Sequence, residues 1–355
     1  MPFRILILGG GFTGLEAARR LAADRSTEVT LMDPSSHALF TPRLVDALAG
    51  RCRERDLRAA HADLAQRHGY RFLQGTACGI RHHDHAVDWT DVSGHSASLG
   101  YDTLICAYGA ETNFYGTPGK ERAFALKTWG HLVALEERLA RLAKEPAAPR
   151  IAVVGGGATG IEAACALDLR LRALGKNQSE RTITVFQAGP QILPGFLPNT
   201  VAKAGSFLAA QGIAVRTGTA IQAIEEGGLA LATGERVAAD LVLWCAGVRP
   251  NAVPGDVPTE AKGGALTVDF ALRAAPGLFG GGDAANVHDA QRPVPKNAQT
   301  AMKMGTLLAE NVRRERAERP LAPFRYRSPG VMLWLGTTAI TDLFGLSLRS
   351  SFFLL

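Results

Sequence analysis

Residues Arg4 to Asp33 read RILILGGGFTGLEAARRLAADRSTEVTLMD. Ile5 to Leu8 form a short continuous apolar run, the pattern of a parallel strand buried on both faces. Gly9, Gly11 and Gly14 follow in G-x-G-x-x-G spacing. Leu15 to Ala22 then read as a helix, and Glu28 to Met32 as a second strand that ends in Asp33. In such a unit one glycine makes the tight turn, the second lets the backbone approach a pyrophosphate, and the third lets helix and strand pack closely. The phosphates sit on the positive end of the helix. Asp33 stands where a carboxylate accepts the ribose hydroxyls. Phe12 and Thr13, between the second and third glycines, complete the predicted cradle. Strand, glycines, helix, strand and acid in this order predict a dinucleotide-binding βαβ unit.

The same pattern returns. Ile151 to Val154 are apolar, and GGGATG follows, with Gly155, Gly157 and Gly160 in register and Ala158 and Thr159 between them. Ile161 to Leu174 read as a helix stopped by Gly175, and Arg181 to Phe186 as the next strand. The position matching Asp33 is Gln187. A glutamine can still hydrogen-bond a ribose hydroxyl but lacks the charge that repels a 2′-phosphate, so NADPH is admitted beside NADH. No arginine follows at once to clamp that phosphate, so NADPH is not demanded. Two nucleotide sites in one chain imply two nucleotides, and the economical chemistry is hydride transfer from a nicotinamide to a flavin.

The 355 residues suit two or three domains. With 46% hydrophobic and 20% charged residues the chain is globular. The formal charge of +6 could attract anionic lipid or phosphorylated ligands, or mark a solvated basic face. No Lys/Arg comb or nucleic-acid motif appears, so no nucleic-acid partner is expected. Cys52, Cys78, Cys106, Cys165 and Cys245 are odd in number and never spaced C-x-x-C, which argues against a disulfide framework or zinc site. Reduced cysteines, with Cys106, Cys165 and Cys245 in the core, fit a cytoplasmic protein. RHHDH (Arg81 to His85) reads as an exposed hairpin, not a metal site. Leu126 to Leu142 read as an amphipathic helix between the two folds, and Asn311 to Pro320 as a solvated helix end. No signal peptide or membrane-spanning run is visible.

Further stretches carry a family resemblance: HALFTPRLVDALAG (His37 to Gly50), YDTLICAYGAETNFYGTPG (Tyr101 to Gly119), DLVLWCAGVRPN (Asp240 to Asn251), LFGGGDAA (Leu278 to Ala285) and VPKNAQTAMKMG (Val294 to Gly305). With the two glycine motifs, the chain resembles the two-dinucleotide-fold flavoprotein reductases, and among them the type II, non-proton-pumping NADH:quinone dehydrogenases. The resemblance covers nearly the whole chain. It implies an α/β fold of two Rossmann-like domains, with the NAD(P) domain inserted into the FAD domain. The expected bounds are 1–118 and 248–321 for the FAD domain, 119–247 for the NAD(P) domain, and 322–355 for a short C-terminal segment.

The resemblance also implies roles. Bound FAD would be held by the first glycine loop with Asp33, Pro42, Ala107, Gly109, Asp283 and Ala298. NADH or NADPH would be held by the second loop with Gln187 and Gly247. Glu162 falls on a glutamate placed near the flavin–nicotinamide contact, and Gln299 on a helix against the isoalloxazine and the quinone. Lys303 replaces a second glutamine there. It is a candidate hydrogen-bond donor to a flavin or quinone carbonyl, with a solvated surface lysine as the alternative. The amphipathic membrane helices of the family have no counterpart in Ser350 to Leu355. The expected activity is NAD(P)H:quinone oxidoreduction, peripheral on the cytoplasmic face of the inner membrane, in a chain that could form a homodimer. Competing readings are a soluble NAD(P)H-dependent flavin reductase or oxidase, a sulfide:quinone reductase-like enzyme, and a flavin-binding redox sensor without turnover.

Overall fold

A computed structural model of the chain describes residues 2–261, 263–289, 292–327, 330–343 and 346–350. Residues 351–355, most of the short C-terminal run weighed above, lie outside the described residues. The chain divides into two compact units. One comprises Met1–Leu39, Arg58–Glu111 and Val248–Arg327, and the other Phe40–Leu57, Thr112–Gly247 and Ser328–Leu355.

The first unit is built on an eight-stranded sheet. Its order is Arg273–Ala275, Leu278–Gly280, Thr103–Cys106, Phe3–Leu8, Thr27–Asp33, Arg71–Arg81, Ala86–Asp91, Ser96–Gly100. The central strands are parallel, Phe3–Leu8 lying between Thr27–Asp33 and Thr103–Cys106. The apolar run Ile5 to Leu8 is fully buried, as a strand covered on both faces must be. The helix Phe12–Leu21 turns Ala17, Ala18 and Leu21 inward. The long helix Ala298–Arg316 packs beside it, joined by the Thr13 hydroxyl, which donates to the Ala301 carbonyl at 3.0 Å. Arg81 to His85 form the expected hairpin turn, with Arg81 bonded to Asp84 and Asp88. Asn311 departs from the solvated helix end predicted for it. It is fully buried, and its side chain donates to the carbonyls of Ala271 and Ala322 and accepts from the Ala322 amide, each at 2.8 Å.

The second unit has a four-stranded parallel sheet ordered Ile213–Arg216, Thr182–Phe186, Arg150–Val154, Leu241–Trp244. The helix Ala158–Ala173 follows the second glycine loop, and Gly175 ends it at φ +86°. Val154, Phe186, Val242 and Trp244 pack with Ile224, Leu229 and Leu231 of a small antiparallel sheet. The predicted amphipathic helix runs Trp129–Lys144, capped by the Thr128 hydroxyl and burying Leu132, Leu135, Leu139 and Leu142. Cys106 and Cys165 are buried; Cys245, placed in the core by the sequence pattern, lies just past a strand end and is half-buried.

The compact units divide the chain differently from the sequence reading. Residues 40–57 and the segment from 328 group with the nucleotide unit. Specific contacts explain this. Arg51 donates to the Gly336 carbonyl at 2.5 Å and lies 5.5 Å from the centre of the Trp334 ring. Glu162 accepts the Trp334 amide at 2.9 Å.

Asp168 and Arg181 form a buried ion pair in this unit, with Arg181 Nε donating to Asp168 Oδ1 at 2.8 Å and Arg172 reaching Oδ2 at 2.9 Å. Removing one partner of a buried pair strands the other charge. Asp168→Ala should therefore cost about 3–5 kcal/mol, read as a lowered urea midpoint.

Candidate functional site

Each unit carries one glycine loop. In the first, Gly9 has φ +105°, and a Cβ on it would lie 2.3 Å from the Ala107 carbonyl oxygen. A Cβ on Gly14 would lie 1.9 Å from the Gly9 carbonyl oxygen. Both positions admit only hydrogen, so the helix sits directly against the strand end. A Cβ on Gly11 would meet nothing within 4 Å, which leaves an open cradle at the helix N-terminus. Asp33 Oδ2 accepts the Gly10 amide at 2.6 Å and Oδ1 accepts the Ser35 amide at 2.7 Å. The carboxylate is thus fixed at the strand end with lone pairs to spare for ribose hydroxyls.

The rest of this site comes from far along the chain. Gly282 has φ +66° and donates to the Met304 sulfur at 3.1 Å. The Asp283 carbonyl accepts Lys296 Nζ at 3.1 Å. A cleft is lined by Gly282, Asp283, Lys296, Thr300, Ala301 and Met304. Among the described residues the Thr300 hydroxyl, buried there in the first turn of the Ala298–Arg316 helix, has no hydrogen-bond partner. An orphaned buried hydroxyl costs about 1–3 kcal/mol, and a bound polar group would relieve it. Open cradle, fixed acid, helix N-terminus and orphaned hydroxyl fit a flavin dinucleotide.

The second loop repeats the geometry. Gly155 has φ +109°, and a Cβ on Gly160 would lie 1.8 Å from its carbonyl oxygen, while Gly157 faces open space. Gln187 Oε1 accepts the Gly156 amide at 2.8 Å, as Asp33 accepts that of Gly10. The amide oxygen of Gln187 is thereby turned toward the loop, and its NH2 keeps two N–H donors. That NH2 stands beside Gly189, where a Cβ would be 3.0 Å away. Gly247, with φ +109°, follows the strand Leu241–Trp244.

The other expected residues are distributed as follows. Ala107 is buried behind Gly9 and its amide bonds Leu8. Gly109 has φ +69°, and its carbonyl accepts the Asn251 amide at 3.0 Å. Phe12 and Ala298 open their helices. Ala158 and Thr159 open the helix that follows the second loop. Pro42 is exposed in a short turn of the second unit. Gln299 is exposed on the first turn of its helix. Lys303 is exposed, and one of its three N–H donors goes to the Arg327 carbonyl at 2.7 Å. Glu162 lies in the second unit, where burial pushes its carboxyl up to about 7 against the opposing effect of the Trp334 amide, with the charge of Asp46 adding to the rise.

His61 was not anticipated. It is buried, stacks on Phe72 at 4.8 Å and fills the space beside Gly10, where a Cβ would come within 2.3 Å of its ring. Burial lowers its pKa. A lone histidine far from the loop carries no sequence signal for this. Among the described residues no cluster of three or more His, Cys, Asp or Glu is placed to hold a metal ion, and no helix is long and apolar enough to cross a membrane.

Residues 3–305 match the pyridine nucleotide-disulphide oxidoreductase family. The chain is 31% identical to a demethylphylloquinone reductase of Synechocystis, covering 98% of this chain and 88% of the relative. It is 28% identical to an alternative NAD(P)H-ubiquinone oxidoreductase of Arabidopsis thaliana, covering 94% and 71%. Its fold is similar to that of NDH2 from Plasmodium falciparum in complex with NADH. The TM-score is 0.87 at 16% identity, over 99% of this chain and 92% of that one.

Gly14→Ala should push the first helix off its strand and weaken flavin retention by about tenfold or more, read as a fall in the 450 to 280 nm absorbance ratio. Gly160→Ala should keep the flavin and lose pyridine nucleotide binding. Glu162→Gln tests the buried carboxyl. Its folded pKa of about 7 lies above the ordinary 4.5, so the unfolded chain loses this proton first and stability falls as pH rises between those values. The variant should gain stability over the parent above pH 7 and match it below pH 4.5, read by thermal melts across pH.

Proposed function

The chain belongs to the pyridine nucleotide-disulphide oxidoreductase family, and from that premise we propose that it is an FAD-dependent NAD(P)H:quinone oxidoreductase of the type II NADH dehydrogenase kind. The observation that carries the reading is the pair of open glycine cradles, each closed by a different residue, Asp33 in one and Gln187 in the other. The relatives named for phylloquinone and ubiquinone chemistry support a quinone as acceptor.

FAD, when bound, supplies the two-electron acceptor for the hydride of NAD(P)H and the donor to the quinone. The chain's own groups bind, orient and exclude water. The first loop, with Asp33 and the end of the Ala298–Arg316 helix, holds the flavin nucleotide. The second loop holds the pyridine nucleotide, and Gln187 offers its NH2 to the adenosine ribose. Glu162 is the proton-holding group, since a carboxyl that titrates near neutrality can both take and release a proton at working pH. Gln299, exposed in the first turn of its helix, is the residue offered to the acceptor. Lys303 serves to tether that helix to Arg327. Exposed Val331 and Met332 support a peripheral contact with a bilayer surface, where quinones reside.

Gln187→Glu keeps an acceptor for the Gly156 amide but adds a charge. It should lower kcat/KM for NADPH about tenfold or more, the scale of one like-charge contact, and leave NADH within about twofold. Anaerobic titration with each nucleotide, followed by reoxidation with a short-chain quinone, tests the whole reading. The bound flavin should bleach with NADH and recover with quinone. Failure of both nucleotides to bleach it would overturn the hydride step, and failure of quinone to restore it would overturn the acceptor.

A further inference from the structure

The turn Asn113 to Gly119 is built to present one side chain. The Asn113 amide donates to the Gly247 carbonyl at 3.1 Å, and the Asn113 carbonyl accepts the Trp244 indole N–H at 2.8 Å. The Asn113 side chain accepts the Tyr115 amide at 2.8 Å, and the Thr117 amide closes the turn on the Phe114 carbonyl at 2.9 Å. Phe114 packs on Trp244 with ring centres 5.5 Å apart. At the far end, the Pro118 carbonyl accepts the Ile224 amide at 2.8 Å.

This clamp holds Tyr115 at φ +51°. A bulky residue in the left-handed region is strained and persists only where its surroundings over-determine it. Burial does not compensate, because Tyr115 is 68% exposed. Its hydroxyl has no protein hydrogen-bond partner among the described residues, and it lies over Gly247, where a Cβ would be 2.5 Å from the hydroxyl oxygen.

The position of Gly247 gives this arrangement meaning. It follows Leu241–Trp244, which pairs with one side of the central strand Arg150–Val154; Thr182–Phe186, which leads to Gln187, pairs with the other side. A Cβ on Gly155 would lie 2.8 Å from the Ala246 backbone, so this strand end borders the glycine loop. In a doubly wound sheet a dinucleotide crosses the carboxyl ends of the strands at this point, its adenosine ribose at the residue ending the second strand. Gln187 marks the adenosine side, and Gly247 and Tyr115 the other.

We propose that Tyr115 is a positioning residue for the nicotinamide riboside half of NAD(P)H, its ring forming a wall against that half and its hydroxyl bonding one of its polar atoms. The inference rests on the reading of the second unit as the NAD(P)H binder. ADP-ribose, which has the adenosine half but no nicotinamide, separates the two. With the full-length FAD-loaded protein, Tyr115→Ala should raise the Kd for NADH about tenfold and leave that for ADP-ribose within about twofold. Tyr115→Phe, which keeps the ring, should raise the NADH value about threefold, the scale of one hydrogen bond. NADH binding is read from the concentration dependence of anaerobic flavin bleaching, and ADP-ribose binding by calorimetry. Tyr115→Ala with NADH affinity within about twofold of the parent would overturn the inference, and so would an equal loss of both ligands, which signals a collapsed turn. A parent protein that binds neither ligand would overturn the reading of the second unit, and this inference with it.

Discussion

In each unit the α-carbon of the third loop glycine is pressed against the carbonyl of the first. An ideal Cβ at Gly14 would stand 1.9 Å from Gly9 oxygen, and one at Gly160 1.8 Å from Gly155 oxygen. No side chain fits there. The contact seats a helix on the end of a strand, and that seating leaves the loop amides and the helix N-terminus pointing at one place. The same contact fixes the depth of the helix against the sheet, so that Ala17 and Ala18 in one unit, and Ala163 and Ala164 in the other, can be buried in the core. Small residues on those helix faces follow from the close approach.

The two loops share a second device, in which the side chain at the end of the next strand accepts the amide of Gly10 or of Gly156. In one unit this is a carboxylate, in the other a carboxamide. The bond to the loop is alike, but what remains for a ligand differs. Asp33 keeps only acceptors, suited to ribose hydroxyls. Gln187 turns its oxygen to the loop and adds NH2 donors, which suit a hydroxyl and do not repel a phosphate. Two loops of one backbone design thus end in side chains of different polarity.

Much of this was legible in the residues. The glycine spacing, the apolar strands and the acid or amide at the strand end are local, and a βαβ unit is a local structure of about thirty residues. The hairpin at Arg81 to His85 and the Trp129–Lys144 helix were likewise announced by turn residues and helical periodicity. Other features depended on distant parts of the chain. Lys303 reads as a donor open to a ligand or to solvent, and the fold gives one of its three N–H donors to the Arg327 carbonyl, a partner the sequence does not point to. Asn311 sits in a run of charges that predicts a solvated helix, yet it is buried because Ala271 and Ala322 together need both ends of its amide. The grouping of 40–57 with the nucleotide unit turns on Arg51, Gly336 and Trp334, which no periodicity links.

The sequence by itself determined two nucleotide-binding units, their order, the inequality of Asp33 and Gln187, and the family to which the motifs point. These follow from steric and hydrogen-bonding rules that act within a few turns of chain. Only the tertiary structure decided which distant side chains surround each loop. It put His61 against Gly10, left the Thr300 hydroxyl buried and unpartnered among the described residues, pushed the Glu162 carboxyl pKa up by burial, and clamped Tyr115 over Gly247. Burial and orphaned polar groups are properties of a packed interior, and they exist only once residues separated by tens or hundreds of positions have been brought into contact.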